Sequence, residues 1–370
     1  MSDQNNAATY GKNVTAVELA EVIADFAEVN AQLEKDGLHR EVLSIWGHPG
    51  IGKTSILKQL EAKGYDVIDV PMAQFEEMGD ISGMPDITTD PKTGKSVTTM
   101  APPFWVPTEE RKGVLLFDDF NRASSRILRG TMQLLQNYQT IYWKIPSGYS
   151  IVVTANPDDG SYIVTNVDSA ILTRLKHITL VAEHKAWAEW AEKSNIPGQC
   201  INFILRYPEM LVTGQRTNPR SLTQWFQFCK YKGINEATMD AVETHGLASV
   251  DEEVVASFIT FLQTETEYYI EPLEILDHYP KHQAKIKKYV EDRRIDAVGI
   301  MLERVKNIVI QATYDPGQNH GDNLKAFLKD CKEKDLIFSN IQQIISRNSK
   351  NIKLLSNDDE IAELIRDVAL

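Results

Sequence analysis

A glycine-rich segment that follows a short apolar run constrains the fold of this chain more than any other feature. The segment reads Gly47-His48-Pro49-Gly50-Ile51-Gly52-Lys53-Thr54, and residues 41–46 before it are typical of a buried strand. Glycines let such a loop wrap closely, so that its backbone N–H groups converge on phosphate oxygens. In this pattern the lysine binds the β- and γ-phosphates, and the next hydroxyl binds Mg²⁺. The segment predicts a site for ATP and Mg²⁺, in which Thr54 is a metal ligand and Ser55 extends the loop.

Two adjacent carboxylates follow a second apolar run. Residues 113–117 read Gly-Val-Leu-Leu-Phe and are typical of a buried strand, which ends at Asp118 and Asp119. In an open α/β sheet, ligands bind at the edge formed by the carboxyl ends of the strands. We therefore expect Asp118 to hold Mg²⁺ through its water shell and Asp119 to polarise an attacking water. The alternative is an ordinary strand-to-helix turn in which Asp119 is only a helix cap.

Strand and helix patterns alternate up to about residue 183. Strands are predicted at 41–46, 65–70, 113–117, 150–154 and 178–181, and helices at 15–33, 55–63 and 126–137. Two hairpins are predicted, one at 86–100 around the turn 90–95 and one within 138–149. Beyond this region only helical periodicity remains. The pattern predicts an α/β unit, with a P-loop NTPase-type parallel sheet flanked by helices, followed by an all-α lid and a C-terminal helical domain.

Composition narrows the function classes. The chain has 370 residues and a net charge of −13, which opposes binding to nucleic acid or to an anionic membrane. Its cysteines, Cys200, Cys229 and Cys331, lie far apart and form no metal knuckle or disulfide framework. The first residues lack the apolar run of a signal peptide, and no stretch approaches the ~20 apolar residues of a membrane span. We expect a cytoplasmic protein without membrane partners.

The segment around the acidic pair carries a family resemblance. Phe117-Asp118-Asp119-Phe120-Asn121-Arg122-Ala123 resembles the second Walker motif of the MoxR branch of the AAA+ ATPases. The commoner form in that branch has Glu where this chain has Asp119. Because Asp is one methylene shorter, the attacking water would have to sit closer or the loop would have to shift. This departure bears on the rate of hydrolysis more than on nucleotide binding.

Three further segments are similar to motifs of the same branch. Val153-Thr154-Ala155-Asn156-Pro157 looks like the sensor-1 strand, which implies that Asn156 contacts the γ-phosphate or orients the water. Residues 168–175 look like the segment that carries the arginine finger, at Arg174. Residues 217–222 look like the start of the sensor-2 helix, where Asn218 caps, Pro219 begins the first turn and Arg220 projects towards the nucleotide.

Each of these assignments has an alternative. The alternatives are that Asn156 caps the turn before Pro157, that Arg174 forms a surface salt bridge, and that Arg220 is an ordinary residue of its helix. Arg126 and Arg129, on the helix after the acidic pair, are rival candidates for a contact with a neighbouring subunit.

The resemblance also implies an organisation and a mode of action. Residues 1–13 are polar and without periodicity, so they are expected to be disordered. The resemblance implies an AAA+ core at 14–183 with an insert in its second helix and a hairpin before sensor 1, a helical lid at 184–300 and a C-terminal helical extension at 301–370. It further implies a homo-oligomeric ring, a hexamer in this branch, a von Willebrand factor A-type partner and a protein client that ATP turnover remodels. Two other functions remain: an assembly switch gated by ATP with negligible turnover, and a nucleic-acid motor, which the net charge disfavours.

Overall fold

The computed structural model describes residues 10–54, 56–158, 163–347 and 354–355. The chain divides into two compact units, Met1–Val181 and Ala182–Leu370. This division lies close to the predicted boundary between residues 183 and 184. The predicted fold class is confirmed, because a parallel sheet flanked by helices is followed by helices alone.

The first unit contains a six-stranded parallel sheet and a separate two-stranded hairpin. Its strands are β1 (Lys12–Val14), β2 (Val42–Trp46), β3 (Asp66–Pro71), β4 (Met84–Thr89), β5 (Ser96–Ala101), β6 (Gly113–Asp118), β7 (Tyr149–Ala155) and β8 (Leu175–Leu180). Its helices are α1 (Ala16–Lys35), α2 (Ile56–Ala62), α3 (Gly79–Ser82), α4 (Ser125–Asn137) and α5 (Ser169–Leu172).

The order of the strands determines which loops can meet. The large sheet runs β1-β8-β2-β7-β6-β3, so β7 lies between β2 and β6. Every residue of β2 and of β7 is buried, and so is β6 up to Phe117, as expected for parallel strands covered on both faces. The glycine-rich loop follows β2, the acidic pair ends β6, and Asn156 follows β7. These three segments therefore share one edge of the sheet.

The edge strand β1 corrects the prediction for the N-terminus. Lys12 pairs with Ile178 and Val14 with Leu180, in parallel, although residues 1–13 were predicted to be disordered. The strand is short and only Val14 is buried, so it has too few apolar residues to produce an alternating pattern. Pairing with β8 orders its backbone. Residues 1–9 lie outside the described part of the chain.

The first predicted hairpin is confirmed, and the second is present only in a minimal form of one antiparallel bridge. Strands β4 and β5 pair antiparallel across the turn at 90–95, as expected. The segment 138–149, which is described throughout, holds one isolated antiparallel bridge, Gln139↔Lys144, and then enters β7. The Thr140 hydroxyl accepts hydrogen bonds from the backbone N–H groups of Tyr142 and Trp143, both at 3.2 Å. Two backbone bonds flank the bridge, Thr140 N–H to the Trp143 carbonyl and Ile145 N–H to the Tyr138 carbonyl, both at 2.8 Å, and the Thr140 hydroxyl closes the turn between them.

The second unit is helical throughout its described residues. Its helices are α6 (His184–Lys193), α7 (Gly198–Arg206), α8 (Pro219–Lys232), α9 (Met239–Ser249), α10 (Glu252–Thr264), α11 (Pro272–Glu291), α12 (Ile295–Val309), α13 (His320–Cys331) and α14 (Lys334–Arg347). They form two hydrophobic cores, one built from residues 187–261 and one from residues 270–355. The predicted boundary between residues 300 and 301 is misplaced, because α12 continues through it.

Candidate nucleotide site

The glycine-rich loop connects β2 to α2 and requires its glycines. Gly50 and Gly52 have φ angles of 79° and 104°, in the region that side chains disfavour. A Cβ atom on Gly47 would lie 2.6 Å from the Ile51 side chain and 3.0 Å from the Leu180 carbonyl. The described part of α2 begins at Ile56 and ends at Ala62, in agreement with the helix predicted at 55–63. Ser55 lies outside the described residues.

Lys53 is buried and its ammonium group is held by three oxygen atoms. Its Nζ donates to the carbonyl oxygens of Gly47 and His48, at 2.6 and 3.1 Å, and to Asn156 Oδ1, at 2.8 Å. Only 6% of Lys53 is exposed. Because a buried charge is costly unless its protons are bonded, these contacts define where the positive charge of the loop lies. That position is beside Asn156.

Asp118 and Thr54, the two predicted metal ligands, are in contact. Asp118 Oδ2 accepts a hydrogen bond from Thr54 Oγ1 at 3.1 Å, and Asp118 Oδ1 accepts one from Thr154 Oγ1 at 2.6 Å. A hydroxyl and a single carboxylate are hard oxygen donors, which suit Mg²⁺ when water and substrate complete its shell. The donor set therefore fits the predicted ion. Among the described residues, no group of three or more His, Cys, Asp and Glu side chains forms a metal cluster.

Asp119 has an uncommon backbone conformation and a fully engaged carboxylate. Its φ and ψ of 52° and 43° are left-handed, which non-glycine residues rarely adopt. Asn156 Nδ2 donates to its Oδ1 at 2.9 Å, and the Arg122 guanidinium lies 3.2 Å from its Oδ2. The Arg122 side chain is about half exposed, so this ion pair contributes little stability. Asp119 does not cap the following turn through its side chain.

Asn156 links the glycine-rich loop to the acidic pair. Its side chain accepts from Lys53 and donates to Asp119, and only 1% of the residue is exposed. The amide therefore bridges the two charged groups that the sequence assigned to phosphate binding and to water activation. This geometry goes beyond a cap of the turn at Pro157, which was the alternative for this residue.

Sequence reasoning missed two buried residues that support this arrangement. The Asn121 side chain donates to the Asn156 carbonyl at 2.7 Å and accepts from the Asn156 N–H at 3.0 Å. The Thr154 hydroxyl, besides its bond to Asp118, accepts from the Asp119 N–H at 2.9 Å. Polar residues at the ends of neighbouring buried strands were a signal that could have identified both.

Arg174 and its rivals lie apart from this hydrogen-bonded group. Arg174 is exposed, and its guanidinium donates to Gln136 Oε1 at 3.2 Å and to the Ala170 carbonyl. Arg126 pairs with Glu77 at 3.7 Å, and Arg129 donates to the Ser125 carbonyl at 3.1 Å. All three arginines are exposed, so each is accessible for a contact with a neighbouring subunit.

Arg220 belongs to the second unit, at the start of α8. The predicted cap is confirmed, because Asn218 Oδ1 accepts from the N–H groups of Arg220 and Ser221 at 3.0 and 3.2 Å. Pro219 occupies the first turn, as predicted. The Arg220 side chain is exposed. Its contact with a nucleotide stays a prediction.

Comparisons with known proteins add little to this geometry. No family model matches the chain, and no curated protein matches it. Among solved structures, the RuvB Holliday junction branch migration motor of Thermotoga maritima matches with 14% identity and a TM-score of 0.38, over 73% of this chain and 74% of that one. A variant of the same motor matches with 14% identity and a TM-score of 0.37, over 73% and 76%. Scores this low carry no argument about function.

The described residues contain no helix with the length and apolarity that crossing a bilayer demands.

The Asn121 clamp yields a stability prediction. We expect Asn121→Ala to lower the free energy of unfolding by about 1–3 kcal/mol, because it leaves the buried Asn156 N–H and carbonyl without side-chain partners. Urea unfolding of the purified chain measures this. Asn13→Ala, on the exposed face of β1, is the matched control and should be near neutral. Equal stability of both variants would show that the clamp contributes nothing.

Proposed function

We propose that this protein binds ATP with Mg²⁺ and hydrolyses it, as a member of the AAA+ ATPases. One observation carries the proposal: a single buried amide, that of Asn156, contacts both the lysine of the glycine-rich loop and the acid Asp119. Phosphate-binding and water-activating groups must lie this close for phosphoryl transfer to water. The strand order that brings them together is the second support.

In the proposed mechanism, the protein supplies position and charge rather than covalent chemistry. Lys53 and the loop amides hold the triphosphate, and the loop's left-handed glycines keep those amides accessible. Mg²⁺, held by Thr54 and Asp118, would neutralise charge on the phosphate oxygens. Asp119 orients the attacking water, while Asn156 holds the Asp119 carboxylate and faces the transferred phosphate. Arg220 of the second unit is proposed to sense the nucleotide.

The proposed assembly is a homo-oligomeric ring, a hexamer as in the MoxR-like branch. The exposed Arg174 would then contact the nucleotide bound by a neighbouring subunit, which requires head-to-tail contacts between subunits. In this proposal the ring remodels or helps to assemble a protein client in the cytoplasm, with a von Willebrand factor A-type protein as partner. The sequence motifs alone support this finer part of the proposal.

A second candidate function is an assembly switch that ATP gates without appreciable turnover. The observation in its favour is that both Asp119 carboxylate oxygens already have protein donors, Asn156 and Arg122, while the side chain is shorter than the usual Glu. A nucleic-acid motor is a weaker candidate, since the net charge is −13. Steady-state ATPase rates with and without a candidate client distinguish the first two functions.

Removal of the lysine tests nucleotide binding. We expect Lys53→Ala to weaken ATP binding by at least about 30-fold, because a buried charge-assisted contact is worth about 2 kcal/mol or more. Titration calorimetry measures the affinity. Lys58→Ala, an exposed lysine of α2, removes the same charge and should bind like the wild type. Unchanged affinity in Lys53→Ala would defeat the phosphate-loop assignment.

Substitution of the acid tests hydrolysis separately from binding. We expect Asp119→Asn to retain ATP affinity and to lose about 10²–10⁴-fold in kcat, the usual contribution of a positioned base. Asp86→Asn, on the exposed hairpin, controls for the loss of one charge. A fully active Asp119→Asn would remove this residue from the mechanism, and negligible wild-type turnover would favour the switch.

Exchange of the exposed arginines tests the ring. We expect Arg174→Ala to lower kcat by about 10³–10⁵-fold with ATP affinity nearly unchanged, because an arginine finger acts on the transition state. Arg126→Ala and Arg129→Ala are its comparators, and the largest loss identifies the finger. Rings mixed from wild-type and Arg174→Ala subunits should lose activity non-linearly. Activity proportional to the wild-type fraction would count against a contact between subunits.

A further inference from the structure

The Thr154 hydroxyl lies between the two acids of the candidate site. Thr154 is fully buried on β7, and its Oγ1 is 2.6 Å from Asp118 Oδ1 and 2.9 Å from the Asp119 nitrogen. A backbone N–H can only donate, so it must use a lone pair of the hydroxyl, and the hydroxyl proton goes to the carboxylate. Donor and acceptor roles are therefore fixed along this short chain of bonds.

We propose that Thr154 is a positioning residue that sets Asp118 for Mg²⁺ and holds Asp119 in its left-handed conformation. This inference rests on the proposed function and adds a residue to which the sequence motifs assign no role. Thr154 touches neither the nucleotide nor the ion in this proposal. It acts through the two acids.

The effect on Asp118 follows from the pairing of its oxygens. The Thr154 hydroxyl donates to Oδ1 and the Thr54 hydroxyl donates to Oδ2, so each oxygen of the carboxylate accepts from one hydroxyl. With Oδ1 bonded to the rigid strand β7, rotation of the carboxylate is restrained and Oδ2 stays directed at Thr54. Partners that orient a metal ligand in this way typically affect metal affinity or activity by about 10- to 100-fold.

The effect on Asp119 follows from its backbone. A non-glycine residue in the left-handed region is strained, and such a conformation persists only where its surroundings enforce it. The bond from the Asp119 N–H to Thr154 is one such restraint. Thr154, on β7, and Asn156, directly after the last residue of β7, together present one contact to the Asp119 backbone and one to its carboxylate.

The alternative reading makes Thr154 a core hydroxyl that happens to be satisfied. The two readings differ in what they predict for the Mg²⁺ dependence of nucleotide binding. A core role affects stability alone, whereas a positioning role affects the response to Mg²⁺ and is rescued by any residue that keeps the hydroxyl.

The test compares Thr154→Val, which removes the hydroxyl at nearly constant shape, with Thr154→Ser, which keeps it. The measurement is the affinity of the full chain for a fluorescent ATP analogue, in EDTA and across a Mg²⁺ titration, with kcat determined in parallel. Thr131→Val is the control, because Thr131 is also fully buried but its hydroxyl donates to the Leu128 carbonyl within α4.

We expect Thr154→Val to raise the half-saturating Mg²⁺ concentration by about 10- to 100-fold and to lower kcat, with affinity in EDTA unchanged. Thr154→Ser and Thr131→Val should keep the wild-type Mg²⁺ response. A wild-type response in Thr154→Val overturns the proposal, and so does a loss in Thr154→Ser, which keeps the proposal falsifiable if the valine variant does not fold. A Mg²⁺-dependent wild type whose response is unchanged in Thr154→Val overturns this inference only, whereas a wild type that binds no nucleotide, or binds it without regard to Mg²⁺, overturns the proposed function as well.

Discussion

The buried ammonium group of Lys53 is the constraint on which the rest of the site depends. A charge with 6% exposure needs bonded acceptors, and the chain provides two carbonyl groups of its own loop and one side-chain amide from the end of β7. That third acceptor, Asn156, turns a local loop into part of a larger network. Asn156 Nδ2 donates to the Asp119 carboxylate, which adds the acid to the network. The Asn121 side chain holds the backbone N–H and carbonyl of Asn156 in place.

This network explains how three segments far apart in sequence can act as one site. Strand β7 lies between β2 and β6, and its last residues bond to both neighbours. Thr154 bonds to the acids that follow β6, and Asn156 bonds to the lysine that follows β2. A change on any one strand end is therefore transmitted through hydrogen bonds to the others. Closely coupled polar groups of this kind are stable only when every member has a partner.

The short side chain and the backbone conformation of Asp119 distinguish this site. Asp119 sits at the position where the resembling branch carries Glu, and its backbone is left-handed. Both oxygens have donors, one from a buried amide and one from the half-exposed Arg122. The weaker and more exposed of these contacts, that with Arg122, is the one that a bound substrate can most easily displace. Under the proposed function, the balance between turnover and a slow switch would depend on this ion pair and on the reach of the Asp119 side chain.

Much of the first unit was predictable because its signals are local. The buried strands β2, β6 and β7 are largely apolar, and the loop between β2 and α2 has glycines where positive φ angles occur. In the second unit, Asn218 and Pro219 are an equally local signal for the start of α8. The failures are also physical. β1 has one buried residue and forms only because β8 offers a free edge, and the hairpin at 138–149 is shorter than expected, with one antiparallel bridge and a turn closed by the Thr140 hydroxyl.

The sequence by itself determined which polar groups are available: a glycine-rich loop with a lysine and a hydroxyl, two acids at a strand end, an amide at another, and the α/β class that holds them. The tertiary structure decided which of these groups touch. The bridge from Lys53 through Asn156 to Asp119, the Asn121 clamp and the Thr154 hydroxyl between the acids all join residues separated by 35 or more positions. Such contacts depend on the order and register of the strands, because parallel neighbours in a sheet need not be neighbours in the chain.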